Sequence, residues 1–151
     1  MEIVVNEWLL EYLRPDAPKT DKEAAVRFVN ALVRKCDKII IKRKSPFADK
    51  LCTYMYSFGW DAWSRKQFSN LFKLVFINSE TAIIADEGDL QKLPEDIVAK
   101  TPPSDLYLIE LWYSNQERII LTTDAKLKEK LKDIPNLKIC LLDEFLKDYL
   151  A

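Results

Sequence analysis

Asp105 and Asp124 are the residues around which chemistry could be built. Each opens a stretch with helical periodicity, Leu106–Ser114 after the first and Ala125–Leu131 after the second. Between them Ile119–Thr123 is a β-rich apolar run, long enough for a strand and too short for a helix. Asp124 therefore falls where a strand gives way to a helix. In open α/β sheets ligands gather at the carboxyl ends of the strands. Two aspartates meeting at such an edge could hold a divalent cation. The same residues could equally be helix caps, because Asp is a favoured N-cap and an acid in a first turn complements the helix dipole. Spacing alone leaves both readings open.

The elements that would position them can be read along the chain. Glu2–Val5 is an unbroken apolar run ending at Asn6, the pattern of a buried strand in a parallel sheet. Trp8, Leu9, Tyr12 and Leu13 fall on one face of a helix that Pro15 and Pro18 end. Thr20 and Glu23 form a capping-box pattern for a helix running to about Lys35. Lys38–Lys42 is a second strand. Ser45-Pro46 reads as an N-cap with proline at the first helical position, opening a helix that stops near Gly59. Ser64–Phe76 is amphipathic, Thr81–Ala85 is a third strand, and Asp86–Lys92 is an acidic turn. A short helix follows from Leu93 to about Ala99, then the stiff bend Thr101-Pro102-Pro103. Beyond the Asp105–Leu131 block, Leu137–Leu142 is a last strand, and Asp143 caps a terminal helix. Strands separated by helices imply parallel crossovers. The expected fold is one α/β domain over residues 1–151, a three-layer sandwich with a central parallel sheet of about five strands flanked by helices.

Composition narrows the chemistry. A chain of 151 residues, 48% hydrophobic and 31% charged, can build a real core. With only two glycines, Gly59 and Gly88, it has no glycine-rich phosphate loop. It has no histidine, which removes His-dependent zinc sites, Ser-His triads and the usual neutral-pH general base. A metal here would be held by oxygen, which suits magnesium or manganese. The net charge of −1 argues neither for nor against nucleic acid. Cys36, Cys52 and Cys140 are dispersed, as expected of reduced thiols in a cytoplasmic protein. No run is long enough to span a membrane, and Asn6, Glu7 and Glu11 interrupt any signal-peptide core. The Lys/Glu-rich make-up points toward a thermophile.

Taken together, Val4-Val5-Asn6 at the end of a first strand, Ser104-Asp105 opening a buried helix, Ile-Leu-Thr-Thr-Asp124 followed by Ala-Lys-Leu, and the closing strand and Asp-Glu-Phe-Leu resemble a PIN domain over nearly the whole chain. The resemblance implies a metal-dependent nuclease that cuts RNA, often the toxin of a toxin–antitoxin pair. It implies that Asp105 and Asp124 bind magnesium or manganese, and that Asn6, Asp105 and Asp124 form the catalytic set. Two departures accompany it. Asn6 stands where the family has an aspartate, offering one neutral oxygen in place of two charged ones. The acid expected after the second strand has only Asp49 as a match.

Lys42, Arg43 and Lys44, at the end of the second strand, are candidates to hold RNA phosphates, and a three-residue charge run is also a common solvated turn. Thr122 or Thr123 could hydrogen-bond a phosphate or a metal-bound water. Glu7 and Glu110 are spare carboxylates. Tyr54, Tyr56, Trp60 and Trp63 could stack bases, belong to the core or serve a protein interface. Two functions follow. One is a PIN-like ribonuclease hydrolysing RNA phosphodiesters, weakened by Asn6. The alternative is a catalytically inactive PIN-like module binding RNA or a partner protein, such as an antitoxin-like peptide or a second copy of the chain.

Overall fold

In the computed structural model, which describes residues 1–57 and 59–151, the backbone is organised on five parallel strands. These are β1 (Glu2–Val5), β2 (Lys38–Lys42), β3 (Ala82–Ala85), β4 (Ile119–Thr122) and β5 (Ile139–Leu141). Their order across the sheet is β3-β2-β1-β4-β5. Ile3, Val4 and Val5 are all buried, as are Ile39, Ile40 and Ile41. Successive residues of a strand face opposite sides, so burial of every one means both faces are covered. The expected α/β sandwich on a parallel sheet is the observed architecture.

Among the described residues there are eight α-helices: α1 (Trp8–Glu11), α2 (Lys19–Arg34), α3 (Pro46–Met55), α4 (Ala62–Phe72), α5 (Glu95–Lys100), α6 (Leu106–Ser114), α7 (Ala125–Lys130) and α8 (Leu142–Tyr149). Helix α6 packs across β1, β2 and β4 and buries Tyr107, Leu108, Ile109, Leu111 and Trp112. A helix apolar on so many sides is a core helix. Phe28 of α2 meets Trp8 edge-on at 5.5 Å and Tyr149 of α8 at 6.0 Å.

Several helix ends differ from the sequence reading. Helix α2 begins at Lys19 with Pro18 as its N-cap residue, and the Pro18 carbonyl accepts from both Asp21 and Lys22 N–H. Thr20 lies inside the first turn, so the Thr20/Glu23 capping box does not form. Asp61 rather than Ser64 starts α4, its side chain accepting from the Ser64 amide at 2.7 Å. The helical path then continues as a π-helical segment, Lys73–Ile77. Strand β5 runs straight into α8, whose N-cap residue is Leu141, so Asp143 sits in the first turn and caps nothing. Ser45 does cap α3, accepting from Ala48 N–H at 3.2 Å with Pro46 at the first helical position. The acidic turn holds a short 3-10 helix, Glu87–Asp89, closed by a reciprocal Asp86–Asp89 capping box.

Candidate functional site

From β1 the chain builds outward through β2 to β3, then returns to place β4 and β5 on the other side of β1. The order reverses between β1 and β4, and the crevice beyond their carboxyl ends is where such sheets bind ligands. The register pairs Val5 with Leu121 and Val4 with Ile40. Continued past the strand end, it sets Asn6 beside Thr122 on one side and Lys42 on the other.

Asn6 is locked into this edge. Its Oδ1 accepts from Trp8 N–H at 3.2 Å, and its Nδ2 donates to Thr122 Oγ1 at 2.7 Å. The Trp8 amide requires an acceptor, so it fixes which end of the Asn6 amide faces Thr122. The fully buried Thr122 hydroxyl also accepts from the Asp124 amide at 3.1 Å. Trp8 Nε1 donates to the Leu121 carbonyl at 2.9 Å, a second tie between α1 and β4.

The two aspartates differ in their surroundings. Asp124 is exposed and caps α7, its Oδ1 accepting from Leu127 N–H at 3.0 Å. Asp105 ends a 3-10 turn, Pro103–Asp105, and occupies the N-cap position of α6 without making a side-chain cap bond. Burial pushes its carboxyl above the usual aspartate range, and the nearby charges of Asp124 and Glu7 push it further, against a smaller pull from Lys130. Asp105 thus feels the negative charge of both Asp124 and Glu7. Burial, Glu7 and Asp105 likewise hold the Tyr107 hydroxyl in its protonated form.

A lysine stands at the margin of this acidic edge. Lys50 of α3 lies 2.8 Å from Glu11 and 3.8 Å from Glu7. Glu11 also accepts from Tyr54 at 2.9 Å and from Arg14 at 3.2 Å. Burial raises the Glu11 carboxyl, but the bonds from Lys50, Tyr54 and Arg14 outweigh it and hold the group below its ordinary value. Nothing in the local pattern around Lys50 singles it out. Its pairing joins α3 to α1, a contact that spacing along the chain does not reveal.

The remaining candidates scatter. Asp49 is an exposed first-turn residue of α3. Thr123 is exposed beside buried Thr122. Lys42 is buried at 9% exposure and bridges Glu87 at 2.6 Å and Glu110 at 3.2 Å. Burial works against its charge, but the two carboxylates more than offset this and raise its pKa. Glu110 is thereby a structural partner of Lys42. Arg43 is exposed and pairs with Asp86 at 2.6 Å, and Lys44 is exposed. Of the aromatic residues, Tyr54 and Trp60 pack with Phe68. Tyr56 and Trp63 reach solvent, Trp63 beneath the Lys22 ammonium.

The chain matches no family model, no curated protein and no solved structure. The residues can be tested against the oxygen-ligated metal expected from composition. Asp105 keeps both carboxylate oxygens free of a capping bond and Asp124 keeps Oδ2, which suits a hard cation. Asn6 turns a donor toward Thr122 and spends its oxygen on Trp8. Among the described residues, no three acidic, cysteine or histidine side chains stand close enough to form a ready-made metal cluster. Asp105 and Asp124 are thus the carboxylates with oxygens left to offer a cation.

Proposed function

We propose that the chain is a PIN-like, magnesium- or manganese-dependent ribonuclease whose first acidic position is weakened by Asn6. The observation that carries this reading is Asp105. It is a partly buried carboxylate with no cap bond, raised above its ordinary range by burial, Asp124 and Glu7 at the reversal of the strand order. A divalent cation would relieve that repulsion. A bound magnesium or manganese ion supplies an activated water and offsets charge on the phosphate. Asp105 and Asp124 would hold it. Asn6 keeps Thr122 and the entry to α1 in place and serves as a neutral orienting group. Exposed Thr123 is available to a phosphate oxygen, and Lys44 and Arg43 contribute positive charge along the RNA backbone.

A second reading has its own support. Both ends of the Asn6 amide are committed inside the fold. That favours a non-catalytic module on the same fold, binding RNA or a partner protein. Incubation of labelled single-stranded RNA with the protein separates the two. The nuclease reading expects cleavage that requires magnesium or manganese, stops with a chelator, and is lost in Asp105→Asn. RNA that stays intact with either metal overturns it in favour of the module.

A further inference from the structure

The cations best placed at the carboxyl end of β2 to receive phosphate already hold carboxylates. Lys42 Nζ meets Glu87 Oε2 at 2.6 Å, and Arg43 Nε meets Asp86 Oδ1 at 2.6 Å. The two acids are neighbours on the segment that follows β3. That segment is seated by sheet register, with Lys42 opposite Ala85 and the Arg43 amide donating to the Ala85 carbonyl at 2.9 Å. The Asp86–Asp89 capping box stiffens it.

The partners of Lys42 are unequal. Glu110, on core helix α6, has a side chain 20% exposed. Glu87 is 75% exposed, and Asp86 is 58% exposed. Lys42 therefore has one fixed carboxylate and one that solvent can replace. The Arg43–Asp86 pair is exposed on both sides, and in the Lys42–Glu87 pair the acid faces solvent while Lys42 keeps Glu110. Solvent-facing carboxylates of this kind are weakly held, so a stronger anion can displace Asp86 and Glu87. Glu87 and Glu110 also line a cleft of about 290 Å³ with Leu90, Leu93 and Leu106.

We propose that Asp86 and Glu87 form an acidic strap that occupies a nucleic-acid phosphate seat built from Lys42 and Arg43, and that the RNA backbone binds there by displacing it. The proposal rests on the RNA-binding part of the reading above and is independent of catalysis. The strap lowers affinity for weak or short polyanions and selects those that bring several phosphates at once.

The test is fluorescence anisotropy of a labelled 12-nucleotide oligouridine, measured in chelator so that metal plays no part. The double variant Asp86→Asn/Glu87→Gln keeps the cap geometry, since Asn can accept the same bond. It is expected to bind about fivefold tighter at low salt, with a steeper salt dependence because more counterions are released. A control removing two charges from α8, Asp143→Asn/Asp148→Asn, is expected to change affinity less than about twofold, as distant exposed charges are screened. Arg43→Ala in the strap-free background is expected to return affinity toward the starting value. Circular dichroism establishes that each variant is folded. Unchanged or weaker binding by the strap variant, an equal gain in the control, or no binding by any chain overturns the proposal. Cleavage assays stand apart: a strap effect without metal-dependent cleavage defeats only the nuclease reading, and cleavage without a strap effect defeats only the strap.

Discussion

Asn6 Nδ2 donates to Thr122 Oγ1 across 2.7 Å and so joins the carboxyl ends of the two strands between which the sheet order reverses. The position that the resemblance assigns to a metal-binding carboxylate is held by an amide acting as a structural tie. Asp105, whose carboxyl makes no cap bond, feels the charges of Glu7 and Asp124 near that position.

Thr122→Val tests the tie. The side chain is fully buried, and valine keeps its shape while removing the acceptor for both Asn6 Nδ2 and the Asp124 amide. Loss of stability of about 1–2 kcal/mol is expected, the cost of leaving two partly buried donors without their acceptor, read as a lower urea midpoint at unchanged slope.

Asp105→Asn tests the crowding. The folded pKa of Asp105 lies above its unfolded value, so the fold favours the protonated form. The stability it contributes is then greatest below the unfolded value, about 3.9, and is lost as pH rises through the folded one. The variant, measured without metal, is expected to be modestly more stable than the parent at pH 7, since solvent screens part of the repulsion, and indistinguishable from it at pH 3. Thermal melts at the two pH values decide this.

Asp124 combines a cap with a proposed ligand, and two substitutions separate them. Asp124→Asn keeps the bond to the Leu127 amide and is expected to leave stability within about 0.5 kcal/mol, while losing the response to manganese. Asp124→Ala loses both, at a cost of about 1 kcal/mol. Equal urea midpoints for the two variants, or a manganese response retained by Asp124→Asn, would contradict the separation.

Lys42→Met tests the buried bridge. It leaves Glu110, 20% exposed, without its cation. A loss of about 2–3 kcal/mol is expected, below the full cost of breaking a wholly buried pair. Lys44→Ala, at an exposed position, is expected to cost less than about 0.5 kcal/mol.

The five strands were legible because each is a short apolar run bounded by polar residues, and the sheet buries both faces of such runs. The parallel arrangement followed from helices between strands. Helix starts were less legible because caps compete locally. Pro18 offers a carbonyl to Asp21 and Lys22 two residues before Thr20 could act, and β5 enters α8 with no loop for Asp143 to cap. At the site, the sequence indicated Asp105, Asp124 and the exceptional Asn6. It did not indicate that Glu7 joins the acids, that Lys50 pairs with Glu11, or that Glu87 and Asp86 cover Lys42 and Arg43. These are contacts between elements, set by strand order and register rather than by local pattern.

The most direct measurement is manganese binding by calorimetry on this chain, on Asn6→Asp and on Asp105→Asn. An aspartate at position 6 puts a charged oxygen donor at the end of β1 in place of the amide. It is expected to bind manganese at least about tenfold more tightly than the parent, the gain of a further carboxylate at a hard-cation site. Asp105→Asn is expected to abolish the signal. No manganese uptake by the parent or by Asn6→Asp would contradict the account and leave Asp105 and Asp124 with structural roles alone.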